Sequence, residues 1–122
     1  MENDSTYLQL WVEESAVGTI VHVRGEIDLG SASSLRARLM QLIGGHPIIV
    51  DCSEIHYLDM QGIRVLEECH RQAEQEGQRL VLVGSSPLVR KILAIVKLDQ
   101  RLPVLHTMEE AINALGQSGR RR

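Results

Sequence analysis

The side chains able to do chemistry gather in one stretch, Asp51-Cys-Ser-Glu-Ile-His-Tyr-Leu-Asp59-Met60-Gln61-Gly62. Ser53 offers a hydroxyl for phosphate transfer, as do Ser31, Ser33 and Ser34 upstream, although most of these read more simply as helix caps or solvated hydroxyls. Cys52 offers a thiol, with Cys69 as the other cysteine of the chain. Two cysteines make no disulfide scaffold, and both suit buried apolar positions rather than a redox pair. His56-x-x-Asp59 beside Cys52 supplies metal-ligand types. The five histidines are scattered without a second paired motif, so no metal site is expected. Asp59 precedes a helix, where a carboxylate caps free amides. The start of that helix is also a natural anion site.

The sequence holds no Gly-x-x-x-x-Gly-Lys-Ser/Thr, no Gly-x-Gly-x-x-Gly and no Gly-x-Ser-x-Gly. No nucleophile–base pair stands out. The expectation is therefore a non-enzyme with no catalytic residue and no cofactor.

These residues must be positioned by alternating strands and helices. Tyr7 to Val12 and Thr19 to Arg24 read as strands joined by a turn over Glu13 to Gly18, a hairpin with β-branched Ile20, Val21 and Val23. Ser31 to Ile43 reads as a helix with an apolar stripe of Ala32, Leu35, Leu39, Leu42 and Ile43, stopped by Gly44-Gly45. Ile48 to Cys52 is a continuous apolar run, typical of a strand covered on both faces, and leads into a polar turn. Met60 to Glu76 reads as the next helix, with Gly62, Val65, Leu66, Cys69 and Ala73 facing inward.

Leu80 to Val83 is another buried strand. Ser86-Pro87 opens a third helix with a cap and a proline at the first position. Its Leu88, Val89, Ile92, Leu93, Ile95 and Val96 span an arc of roughly 160°, wider than one core stripe needs. Burial beneath the C-terminal helix is the favoured reading of that arc, and a patch for a partner or homodimer the other. Leu102 to Leu105 reads as an edge strand, the only place Pro103 permits. Thr107-Met-Glu-Glu110 reads as a capping box opening a helix to Leu115. The order β-β-α-β-α-β-α-β-α predicts an α/β domain over residues 1–116, with a mostly parallel sheet of four to five strands, an N-terminal hairpin and about four helices. Residues 117–122 are expected to be a disordered tail.

Composition agrees. The 122 residues suffice for one core, and 43% hydrophobic with 24% charged residues is ordinary for a globular domain. A net charge of −3, with three aromatic residues, argues against nucleic acid as a partner. No run approaches the ~20 apolar residues of a membrane span. The polar, acidic first residues do not resemble a signal peptide, so a reducing cytoplasm is expected.

Three patches together resemble the STAS family, in particular bacterial anti-sigma factor antagonists. Gly25-Glu26-Ile27-Asp28 is similar to the family's Gly-Glu-Leu/Ile-Asp. Asp51 to Gly62 is similar to its regulatory loop, which ends in Asp-Ser-Ser-Gly or Asp-Ser-Thr-Gly. Val83-Gly-Ser-Ser-Pro-Leu-Val89, with Leu98 ten residues beyond Leu88, looks like its next strand–helix step. Met60 stands where the family carries its phosphorylated serine, and Gln61 follows it.

The resemblance implies binding to a serine-kinase type of anti-sigma factor, or a related STAS-binding protein, through Asp28, Gly30, Ser31, Asp59, Met60, Gln61, Gly62, Ile63 and Arg64. It implies that phosphorylation at position 60 is lost, because neither Met60 nor Gln61 has a hydroxyl. Met60 is either a core residue or an exposed contact. The alternatives are an adaptor subunit of a lipid-transport ATPase complex, a stress-signalling scaffold, and a small-ligand binder at the Asp59–Gly62 helix start. A homodimer stays open.

Overall fold

The computed structural model describes residues 8–84 and 86–120. In chain order the elements are β1 (Leu8–Glu14), β2 (Thr19–Ile27), α1 (Leu29–Leu42), β3 (Ile48–Leu58), α2 (Met60–Gln75), β4 (Leu80–Val83), α3 (Pro87–Ile95), a short 3-10 turn (Leu98–Gln100), β5 (Val104–Leu105) and α4 (Met108–Arg120). The five strands lie side by side in chain order, so each crossover adds a strand next to the last. β1 is antiparallel to β2, and every later pairing is parallel. This is the expected α/β architecture with its N-terminal hairpin. Among the described residues no helix is long and apolar enough to cross a membrane.

Alternation along the strands feeds two cores. Ile48, Val50, Leu80 and Leu82 join Leu35, Leu39, Leu66, Cys69, Val89 and Leu93 beneath α1, α2 and α3. Ile49, Val81 and Val83 point the other way, with Ile20, to meet Ala111 and Leu115 of α4. Burial on both faces is why these strands read as unbroken apolar runs. It also corrects the expectation for α3, which lies on the sheet face opposite α4 and not beneath it. Only part of its apolar arc is buried: Val89 and Leu93 are inside, while Leu88 and Ile95 are 44% and 68% exposed.

The largest correction concerns β3, which runs to Leu58 where a turn after Cys52 was expected. Cys52, Ile55 and Leu58 all enter the same core, at a spacing of three rather than two. Two register shifts opposite β2 explain this. From His22↔Asp51 to Arg24↔Glu54, and from Gly25↔Ile55 to Glu26↔Tyr57, β3 advances one residue more than β2. Each shift is a bulge that absorbs an extra residue. β2 accordingly extends past Arg24 to Ile27, and β1 extends to Glu14. Tyr7, expected to start β1, lies outside the described residues, as does Ser85.

The helix ends differ modestly. α1 starts at Leu29, two residues earlier than expected, because Asp28 caps it. α4 passes through Gly116 and ends at Arg120, so the expected tail is helical as far as that residue, and residues 121 and 122 lie outside the described residues. One glycine in a helix costs only about 1 kcal/mol relative to alanine, too little to terminate it alone.

α4 covers only one end of its sheet face. Beyond Ile20 the same face carries His22, held between Asp51 (Nδ1 to Oδ2, 2.8 Å) and Glu13 (Nε2 to Oε1, 2.9 Å). The Trp11 ring stacks on His22 at 5.2 Å, and Arg24 sits over Trp11 while donating to Glu54 across 2.7 Å.

Candidate functional site: the paired helix starts at the end of β2 and β3

Register builds this site. Ile27 pairs with Leu58, so the next residues, Asp28 and Asp59, emerge side by side. The Asp59 amide donates to the Ile27 carbonyl across 3.1 Å and locks the two loops together. Each aspartate then caps a helix. Asp28 Oδ1 accepts from the Ser31 amide (3.0 Å), while Ser31 Oγ accepts from the Asp28 amide (3.0 Å). Asp59 Oδ1 accepts from the amides of Gln61 (2.9 Å) and Gly62 (3.2 Å). Four of the donors that helix starts leave free are satisfied this way, which fixes the entry angle of both helices. Arg36 on α1 adds a two-point pairing to Glu68 on α2, at 2.7 and 3.0 Å.

Gly62 sets the depth of α2. A β-carbon there would stand 2.5 Å from Ile27 Cγ2 and 2.6 Å from Leu58 Cδ1. Only hydrogen fits, so the first turn of α2 seats directly on the strand ends. Ile63 follows it inward and is 2% exposed. That corrects the expectation that Ile63 touches a partner: it anchors the helix start from inside. Met60 points the other way and is 50% exposed, which settles it as a surface residue rather than a core one. Gln61 is half-buried, and Arg64 and Gly30 are exposed.

Two surface residues of this end escaped the sequence reading. Leu29 is 74% exposed at the first position of α1, where Met60 stands on α2. Its signal was the parallel between Ile27-Asp28-Leu29 and Leu58-Asp59-Met60, an apolar residue after each capping aspartate. Tyr57, 47% exposed, sits on the bulged part of β3 opposite Glu26.

The hydroxyls of Ser31 and Ser53 and both thiols are occupied structurally. Ser31 is 2% exposed, and its Oγ lies 2.8 Å from the Glu26 carbonyl and 3.1 Å from Asp28 Oδ1. Ser53 Oγ donates to Asp51 Oδ1 across 2.7 Å. Ser33 is exposed and Ser34 half-buried on α1. Cys52 and Cys69 are buried, and burial pushes both thiols up to about 12, helped by Asp51 and Glu68 respectively. Cys52 faces the core while His56 faces outward, so the metal-ligand types of this stretch are not brought together. What remains at the surface is a rigid, doubly capped sheet end carrying Leu29, Tyr57, Met60 and Arg64, suited to contact with another protein.

Known proteins are similar to this chain in two ways. The STAS domain family matches residues 7–111. The fold matches an anti-sigma factor antagonist from Mycobacterium paratuberculosis at a TM-score of 0.82 and 23% identity, over 88% of this chain and 93% of that one. It matches the anti-sigma factor antagonist SpoIIAA in its unphosphorylated form at a TM-score of 0.70 and 23% identity, over 89% and 97%. In sequence, Sulfate anion transporter 1 of Homo sapiens is 35% identical over 81 residues, which is 66% of this chain and 11% of that protein. The chain thus spans about a tenth of the length of the curated relatives it matches.

Proposed function

Because this chain belongs to the STAS domain family, we propose that it is a non-enzymatic interaction module, an anti-sigma factor antagonist that frees a bacterial sigma factor by occupying a serine-kinase type of anti-sigma factor in the cytoplasm. The observation that carries the reading is Met60, half-exposed at the first position of α2 on the Asp59 cap. A partner that covers this end meets an apolar, adaptable side chain where the resemblance places a phosphorylated serine. Fully burying a side chain of this size contributes about 1.5–3 kcal/mol, and Leu29 beside it adds a second such contact. Phosphate would bring about −1.5 to −2 charges to that surface and disrupt it. Without a hydroxyl at positions 60 and 61, the complex is not turned off there.

The test is reconstitution with a serine-kinase anti-sigma factor from the same cell, its sigma factor and ATP. Expected are release of the sigma factor, a complex that survives ATP, and no phosphate on the segment from Asp59 to Gly62. Failure to bind any such kinase rejects the reading, and phosphate on Ser33 or Ser53 relocates the switch.

A second reading rests on the 35% identity to a sulfate anion transporter over 81 residues. In it the same sheet end docks on a membrane transport protein, as an adaptor or as one domain of a longer chain. Binding to transporter subunits in place of a kinase would favour it.

A further inference from the structure

A cavity of about 380 Å³ opens between α3, the 3-10 turn and β5, apart from the paired helix starts. It lies beside the carboxyl ends of β4 and β5. Its volume falls in the roughly 300–1,000 Å³ range of small-molecule sites. The wall is aliphatic: Leu93 and Ala94 from α3 and Val104 from β5. Three polar side chains join it, Arg90 one turn before Leu93 and Ala94, Asp99 from the 3-10 turn, and His106 just past β5.

The charges are unspent. Arg24, Arg36 and Arg101 each pair with a glutamate, and His22 and His70 each face a carboxylate. Arg90 and Asp99 line one cavity, yet no side-chain hydrogen bond or ion pair joins them to each other or to another described residue. The ring of His106 has none either; only its main-chain amide is used, by Glu110 at 2.9 Å.

From this arrangement we propose that the cavity binds a small zwitterion with an apolar side chain, an α-amino acid or a short peptide. A guanidinium takes a carboxylate through two parallel hydrogen bonds, and His106 adds a donor. Asp99 takes the ammonium, and Leu93, Ala94 and Val104 take the side chain. A purely anionic ligand would be opposed by Asp99 and a purely cationic one by Arg90, so the pair selects a ligand bearing both charges.

The experiment follows amide shifts of the full chain by NMR while titrating leucine and leucyl-leucine, with N-acetyl-leucine and leucinamide as probes lacking one charge each. Expected are saturable shifts at Arg90, Val104 and His106 with leucine or the dipeptide, the tighter of the two naming the source. Each one-charge probe, and each of Arg90→Gln and Asp99→Asn, should bind at least about tenfold more weakly, the loss of one charge-assisted contact. Both substitutions are at exposed positions and leave the fold intact. Absence of saturable shifts with both zwitterions overturns the proposal. So does N-acetyl-leucine or leucinamide binding as well as leucine, or affinity unmoved by Arg90→Gln and Asp99→Asn.

Discussion

The Asp59 amide hydrogen-bonds the Ile27 carbonyl at 3.1 Å, and this bond makes one surface out of two loops. Ile27 and Leu58 are the last paired residues of β2 and β3, so the capping aspartates, and the apolar residues after them, leave the sheet at the same level. Leu29 and Met60 follow the two capping aspartates, on helix starts fixed by those backbone hydrogen bonds and, for Met60, by the seat of Gly62. A surface fixed in this way needs little ordering when it binds, which lowers the entropic cost of docking.

Met60→Asp should separate folding from binding. Met60 is half-exposed at the first position of a helix, where an acidic residue is mildly favourable, by about 0.3–1 kcal/mol. The thermal midpoint should therefore hold or rise slightly. Affinity for the partner should fall by about 2–5 kcal/mol, because the new charge is desolvated without a counter-charge. Unchanged affinity in the well-folded variant would remove Met60 from the interface.

Gly62→Ala should cost folding and binding together. The added methyl would meet Ile27 and Leu58 at 2.5 and 2.6 Å, so α2 must lift or the strand-end side chains must leave their rotamers. Overpacking of this kind costs about 1–3 kcal/mol. Chemical denaturation should show that loss, and partner binding should weaken as well because Met60 moves with the helix start. Wild-type stability would mean that the seat is looser than these distances require.

The thiols should be inert in the folded protein. Burial pushes Cys52 and Cys69 up to about 12, so almost no thiolate exists near neutral pH, and thiolate is the reactive form. Ellman's reagent should label both rapidly in denaturant and slowly without it. Fast labelling of native protein would reopen a redox role.

Where local rules and the fold agreed, the sequence was readable. Asp59 was legible as a cap, Gly62 as facing inward, and Leu80 to Val83 as a strand to the residue. The misses occurred where tertiary pairing overrode local pattern. Cys52, Ile55 and Leu58 break the two-residue period of a strand, and only the bulges against β2 restore one inner face. Ile63 looked like part of an exposed helix start because the seat of Gly62, which turns it inward, depends on two other strands. Leu29 was passed over because α1 was expected to start two residues late. The cluster around His22 joins residues 9 and 29 positions apart, a spacing that follows from sheet register alone.

That cluster makes stability depend on pH in a direction that can be stated. Partial burial by itself would lower the His22 pKa, but its hydrogen bonds to Glu13 and Asp51, with their charges, outweigh burial and raise it above the ordinary 6.5. Both ring nitrogens face carboxylate oxygens, at 2.8 and 2.9 Å, and only the doubly protonated ring donates to both. The proton therefore binds the folded chain more tightly than the unfolded one. This stabilisation is complete below the unfolded value of about 6.5 and is lost as pH rises through the folded one. Trp11 is the only tryptophan of the chain and stacks on His22, so its fluorescence reports the titration directly. Its midpoint should lie above 6.5, and denaturant stability should fall across the same window. In His22→Gln both changes should vanish. A midpoint at or below 6.5 would show that burial dominates and that the two carboxylates do not hold the proton.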